Sequence, residues 1–249
     1  MMLYKRYQSA RDAAWRMLLQ YKVNRLPVDV EEMARHIGVD IQSGPVFSGA
    51  AARSIRKKGK WCIQVQKNLP FSRYRFAVAH ELGHLVLQHK TVRLEDGTFT
   101  FAGSQNAGDV LTDAQLDADT DADMFAIRLL APACVLHELG YQDARRIGDA
   151  CGLPPDAARM RAERMQLLNQ RNVYFTHPLE RQLQRQFAPY VRKENTRPVP
   201  PAPPSFGLPP VLPERKEEAI KQEENGFSLP LWVWVAAAAL ALLALIFLR

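Results

Sequence analysis

Cysteine is scarce in this chain: Cys62, Cys134 and Cys151 are an odd number, with no close pairing. That excludes the disulfide framework that staples small secreted domains, and it fits a reducing compartment. Charge of one sign never accumulates in a block. The net +7 is interleaved with acidic residues, and no lysine–arginine run marks a nucleic-acid arm. The opening stretch MMLYKRYQSARDAAW lacks the apolar centre of a secretory leader, so the domain is expected to stay where it is made. Internal repeats are absent. Long apolar runs are missing as well, until the last twenty residues.

What is present divides the chain into three. Residues 1–190 carry mixed composition with periodic apolar positions and are expected to fold as one domain. Residues 191–228 bring Pro198, Pro200, Pro201, Pro203, Pro204, Pro209, Pro210 and Pro213, then the charged run ERKEEAIKQEEN. Such a stretch cannot bury a core and reads as an extended linker. Residues 229–249 contain nineteen uncharged residues from Pro230 to Leu248, close to the roughly 20 that cross a bilayer as a helix. Trp232 and Trp234 stand at one end, where indole rings favour the interface. We expect a single C-terminal membrane anchor with the large domain on the cytosolic side.

Within the first region, Ala10–Tyr21 is expected to form an amphipathic helix. A second helix follows in LPVDVEEMARHIG, with Asp29 as N-cap, Glu32 at the capping-box position and Gly38 at its end. Residues 39–42, 49–56 and 61–66 look like short strands, the last two joined by the turn KKGK. Helices are expected over 72–89 and 114–130, with a hairpin at 94–100 around Asp96-Gly97 between them. Residues 143–151 and 155–169 pair as two helices about Gly152, and a last helix covers 178–190.

The chemistry centres on RFAVAHELGHLVLQH, residues 75–89. His80 and His84 lie four apart and project from one helix face, a turn from each other. Two imidazoles so placed can bind one tetrahedral zinc, leaving positions for a third ligand and water. Glu81 can take the proton of a water acidified by zinc and act as general base near neutral pH. Phe76, Ala79, Leu82 and Val86 form an apolar stripe, which favours a half-buried helix over a chance match. Gly83 costs about 1 kcal/mol in mid-helix, which suggests that another backbone must pass close by. Leu87 and Lys90 occupy positions where metzincins need glycine and histidine, so that subclass is excluded, and His89 is expected to be a helix-terminal residue favoured by the dipole. A carboxylate from the helix DAQLDADTDADMFAIRLLAP is the better third ligand.

Taken in order, LPVDVEEMARHIGVDI, RFAVAHELGHLVLQH and DTDADMFAIRLLAP resemble the ImmA/IrrE metallo-endopeptidases over roughly residues 10–190. The resemblance implies a zincin-like α+β domain, mainly helical, with a small antiparallel sheet and a single zinc ion. It places the third metal ligand on Asp119, where relatives carry glutamate, and makes Asp123 the residue that orients a zinc-bound histidine. It further implies cleavage of a cytosolic or membrane-proximal regulatory protein, such as a helix-turn-helix repressor.

Two other functions compete. The domain could bind a partner without catalysis, its metal structural or absent. Alternatively, residues 143–168, with several arginines, could form a DNA-reading helix-turn-helix. An αα-hairpin closing the peptidase domain fits the mild charge and the expected tether better, so nucleic acid is not expected as a partner. Tyr174 and His177 are candidate oxyanion donors only in principle and are left outside the catalytic set.

Overall fold

In a computed structural model that describes residues 2–44, 50–101 and 112–196 (for residues 2–5 the backbone alone), a group of helices packs through α2 and α3 on a small sheet. The helices are α1 (Met2–Gln20), α2 (Val30–His36), α3 (Phe71–Val86), α4 (Asp113–Leu130), α5 (Ala133–Glu138), α6 (Ala144–Cys151), α7 (Pro155–Arg171) and α8 (Pro178–Asn195). The strands are β1 (Asp40–Gly44), β2 (Ala52–Lys57), β3 (Lys60–Gln66), β4 (Thr91–Arg93) and β5 (Phe99–Phe101).

Local chemistry explains most boundaries. Asp29 accepts the Glu32 N–H at 2.9 Å and starts α2. Thr112 and Gln115 form a reciprocal capping box that starts α4 one residue ahead of the expected position. Gly152, at φ 63°, ends α6 in the left-handed conformation that glycine adopts without steric cost. Helix α1 begins at Met2, well before the expected Ala10. Its extra turns carry Arg6 to α4, where the guanidinium pairs with Asp121 at 2.9 Å and also with Asp117. Helix α8 runs past the expected Tyr190 to Asn195.

The sheet corrects the antiparallel expectation. Its order is β1-β3-β2-β5-β4, and β1 runs parallel to β3, pairing Asp40 with Cys62 and Gly44 with Gln66. The other pairings are antiparallel, so the sheet is mixed. The β2–β3 hairpin closes through Lys58 and Gly59, both at positive φ, as a type I′ turn requires. With β2 on one side of β3, β1 adds at the other side and runs in the same direction as β3. The expected hairpin around Asp96-Gly97 is present as β4–β5, with Thr98 held by the Asp96 carboxylate.

Helices α3 and α4 form the centre, with α1 on α4 and the sheet on α3. Leu18, Leu82, Phe125, Leu129 and Leu136 are fully buried there. All three cysteines are free, and burial pushes the Cys134 and Cys151 thiols up to about 12, which leaves both protonated and unreactive. Among the described residues no helix is long and apolar enough to cross a membrane. The expected linker and anchor lie outside the described residues.

The glycine in mid-α3 has the reason its position suggested. A Cβ on Gly83 would stand 3.0 Å from Ala122 Cα, 3.1 Å from Ala122 O and 3.2 Å from Phe125 Cδ1. Backbone cannot swing aside as a side-chain end can, so α3 and α4 must separate to admit a methyl group. Overpacking of this kind costs about 1–3 kcal/mol, against about 1 kcal/mol gained in helix propensity. We therefore expect Gly83→Ala to lower the melting temperature and weaken zinc binding together. Gly148→Ala, in α6, meets nothing nearer than 3.4 Å and should be neutral or stabilising. Thermal unfolding and zinc titration of the two variants check this; a stabilised Gly83→Ala with intact zinc binding contradicts it.

Candidate metal centre

Helices α3 and α4 run antiparallel, so residues one turn apart on one meet residues one turn apart on the other. His84 faces Asp119, and His80, a turn earlier, faces Asp123, a turn later. The Nε2 atoms of His80 and His84 lie 3.0 Å apart, and Asp119 Oδ1 is 3.3 Å from His84 Nε2. Donor atoms of His80, His84 and Asp119 all fall within 4.8 Å of one another. Two ring nitrogens turned toward each other suit a shared cation: tetrahedral zinc with bonds of about 2.0–2.1 Å separates its nitrogen ligands by roughly 3.3 Å. Two imidazoles and one carboxylate are also a donor set of zinc hydrolases. The residues present therefore fit the metal.

Each histidine is held from behind. Asp123 Oδ1 contacts His80 Nδ1 at 2.7 Å, which directs Nε2 inward. Burial works against a charged His80, but the Asp123 hydrogen bond and the charges of Glu81, Asp123 and Asp119 outweigh it and raise the ring above the ordinary histidine value. His84, only 1% exposed, has His89 Nδ1 at 2.9 Å from its own Nδ1. The Phe101 ring of β5 stacks on His84 at 4.9 Å between centroids. Burial, and then His84 itself, push His89 down to about 4, so it is neutral and can accept the Nδ1–H of His84.

The end of α3 explains how His89 arrives. The His89 N–H donates to His84 O at 3.1 Å and the Gln88 N–H to Leu85 O at 3.2 Å, while Gln88 takes φ 55°. This is the Schellman pattern, which folds the chain back over its last turn. It stops the helix at Val86, short of the expected His89, and lays the His89 ring against His84. A glycine at position 88 would have announced this; glutamine did not.

Glu81 projects from α3 toward the sheet. It is 3% exposed, and its Oε2 accepts the Ser54 backbone N–H of β2 at 2.8 Å. Ser54 O in turn accepts the Thr100 hydroxyl at 2.8 Å, tying β2 to β5 at this point. The sheet therefore fixes the carboxylate next to the histidine pair.

The remaining candidates sort by helical phase. Asp121 lies opposite Asp119 and Asp123 and pairs with Arg6, as does Asp117. The Tyr174 hydroxyl donates to Asn169 Oδ1 at 2.8 Å, and its ring stacks on His137, centroids 3.9 Å apart. His177 caps α8 by accepting the Leu179 N–H at 3.3 Å. Neither contact touches the histidine pair. In the α6–α7 hairpin, Arg161 is 3% exposed and bonds Ala131 O, so it faces the interior.

Comparison with known proteins bears on the family of the chain. No protein of curated function matches the chain. A solved structure described as a Mycobacterium tuberculosis transcriptional regulator is similar at 18% identity and a TM-score of 0.44, over 71% of this chain and 52% of that one. The chain thus spans about half the length of that protein. A model of the metallopeptidase family M78, described as the IrrE N-terminal-like domain, matches residues 34–163. That stretch is just over half of the chain and contains both histidines, Glu81, Asp119 and Asp123, and the chain belongs to this family.

Proposed function

We propose that the chain is a zinc-dependent endopeptidase acting on a cytosolic or membrane-proximal regulatory protein. The observation that carries the reading is the convergence of His80 Nε2, His84 Nε2 and Asp119 Oδ1 beside a buried glutamate. His80, His84 and Asp119 would hold the ion. Zinc bound there supplies Lewis acidity, polarising a carbonyl and lowering the pKa of water. Glu81 then acts as general base. With Oε2 held by Ser54 N–H, Oε1 is the oxygen that receives the proton and later returns it to the departing amine.

Asp123 and His89 keep the two imidazoles in the tautomer that presents Nε2. Asp119 is one methylene shorter than the family's glutamate. In this reading the shorter side chain serves because α3 and α4 approach closely at Gly83 and Asp119 Oδ1 lies 3.3 Å from His84 Nε2. In this reading the uncharged run 230–248 anchors the domain to a membrane and confines it to nearby substrates. Resistance of the full chain to carbonate extraction supports the anchor, and release into the supernatant contradicts it.

Site variants separate the roles. Glu81→Gln should keep zinc stoichiometry and fold but lose proteolysis, and it should retain substrates that mass spectrometry can identify. Asp119→Ala should lose zinc affinity severely, whereas Asp123→Ala and His89→Ala should each lose about 10–100-fold. Asp121→Ala should leave zinc affinity intact and lower stability by no more than about 1 kcal/mol through the lost Arg6 pair. Zinc titration and thermal unfolding of the purified variants check the set. A zinc defect in Asp121→Ala with none in Asp119→Ala would show that the helix phase is misassigned.

A further inference from the structure

Buried charge in a folded chain is normally answered by charge of the other sign. Three arginines depart from that rule. Arg128, in the last turn of α4, is 6% exposed, and Arg161 of α7 is 3% exposed. Arg164, one turn further along α7, is half-buried and lies on the same helix face as Arg161. Tyr7 of α1 joins them: the guanidinium carbon of Arg128 is 4.2 Å from the centre of its ring and that of Arg164 is 5.0 Å from it. Among the described residues none of the three arginines makes an ion pair. More exposed arginines do: Arg6 pairs with Asp117 and Asp121, Arg11 with Asp12, and Arg73 with Asp156.

The partners that the three do have are neutral. Arg128 Nη1 donates to Met124 O at 2.6 Å, and Arg161 Nη2 donates to Ala131 O. The Nε atoms of Arg161 and Arg164 are buried and have no hydrogen-bond partner among the described residues. Burial, and after it the charge of Arg128, push Arg161 down to about 10, so the guanidinium groups disfavour one another. The groups that act most on Arg128 and Arg161 are arginines, Tyr7 and two thiols; none is a carboxylate. Burial works to raise the Tyr7 hydroxyl, but Arg128, Arg164 and Arg161 hold it below the ordinary tyrosine value. Even a fully ionised Tyr7 would answer only one of the three positive charges.

We infer that Arg128, Arg161 and Arg164, with Tyr7, form a binding site for a small tetrahedral oxyanion such as inorganic phosphate where α1, α4 and α7 meet. Guanidinium forks match the oxygens of such an ion, and the unpartnered Nε–H groups of Arg161 and Arg164 are donors for it. The enclosure of Arg128 and Arg161 restricts the ligand to a bare ion, with half-buried Arg164 on the solvent side. The site is separate from the metal centre. Arg128 stands two turns after Asp121, on the face of α4 that meets α1, whereas Asp119 and Asp123 face the histidines of α3. The inference therefore does not rest on the hydrolase reading.

The test titrates inorganic phosphate calorimetrically into the zinc-loaded full chain in detergent. Binding is read rather than melting, because phosphate stabilises folded proteins generally by exclusion from their surfaces. One phosphate per chain should bind saturably. Arg164→Met should weaken it at least about tenfold, as expected for a lost hydrogen bond to a charged group, with zinc content unchanged. Arg164→Lys keeps the charge but not the fork and should weaken it by a smaller factor; should the methionine variant not fold, the lysine variant decides. Arg73→Met removes an equal charge from the surface pair with Asp156 and should leave phosphate affinity unchanged. Absence of saturable binding overturns the site. Binding that is unchanged in the Arg164 variants places the ion elsewhere, the zinc included, and also overturns it. Equal weakening in Arg73→Met shows a general charge effect only and has the same consequence. Adenosine monophosphate should bind far more weakly than phosphate; equal or tighter binding contradicts an enclosed site for a bare ion.

Discussion

The site depends on how closely two helices can pack. With glycine at position 83, α4 passes so near α3 that a single methyl group would meet its backbone. At that spacing, carboxylates on consecutive turns of α4 reach imidazoles on consecutive turns of α3: Asp119 meets His84, and Asp123 meets His80. The glycine weakens α3 locally. The buried α3–α4 interface, which includes Leu82, Phe125 and Leu129, offsets the loss through tertiary packing, the usual source of helix stability in proteins.

Around this contact the fold supplies rigidity rather than further donors. His84 is enclosed by Phe101 and His89, His80 is held by Asp123, and Glu81 is tied to β2 through Ser54. The mixed sheet matters because β2 and β5, joined at Ser54 and Thr100, form the floor from which both Glu81 and His84 are positioned. The carboxylate pair Asp117 and Asp121 serves a different task. Through Arg6 it fastens α1 to α4, while the opposite phase of α4 faces the histidine pair.

Much of this was legible in the sequence because it is local. Four-residue spacing places His80 with His84 and Asp119 with Asp123, and the same arithmetic turns Asp121 away. Gly83 announced a close backbone, and Asp96-Gly97 announced a hairpin. Features set by distant parts of the chain were not legible. The parallel placement of β1 is a pairing with β3, about twenty residues on, that the sequence of neither strand announces. The extra turns of α1 depend on an ion pair more than a hundred residues away. The role of His89 was hidden because Gln88 adopts a left-handed conformation that glycine would have advertised.

In the proposed centre His80, His84 and Asp119 together hold one metal ion and leave a position open. X-ray absorption at the zinc edge of the zinc-loaded full chain tests this most directly, because it reports ligand type and distance without reference to substrate. The expected spectrum shows only nitrogen and oxygen ligands at about 2.0–2.2 Å, with scattering from two imidazoles. A third imidazole would place His89 on the metal, and a sulfur ligand at about 2.3 Å would bring in a cysteine. Either result would contradict the arrangement of α3 and α4 described above.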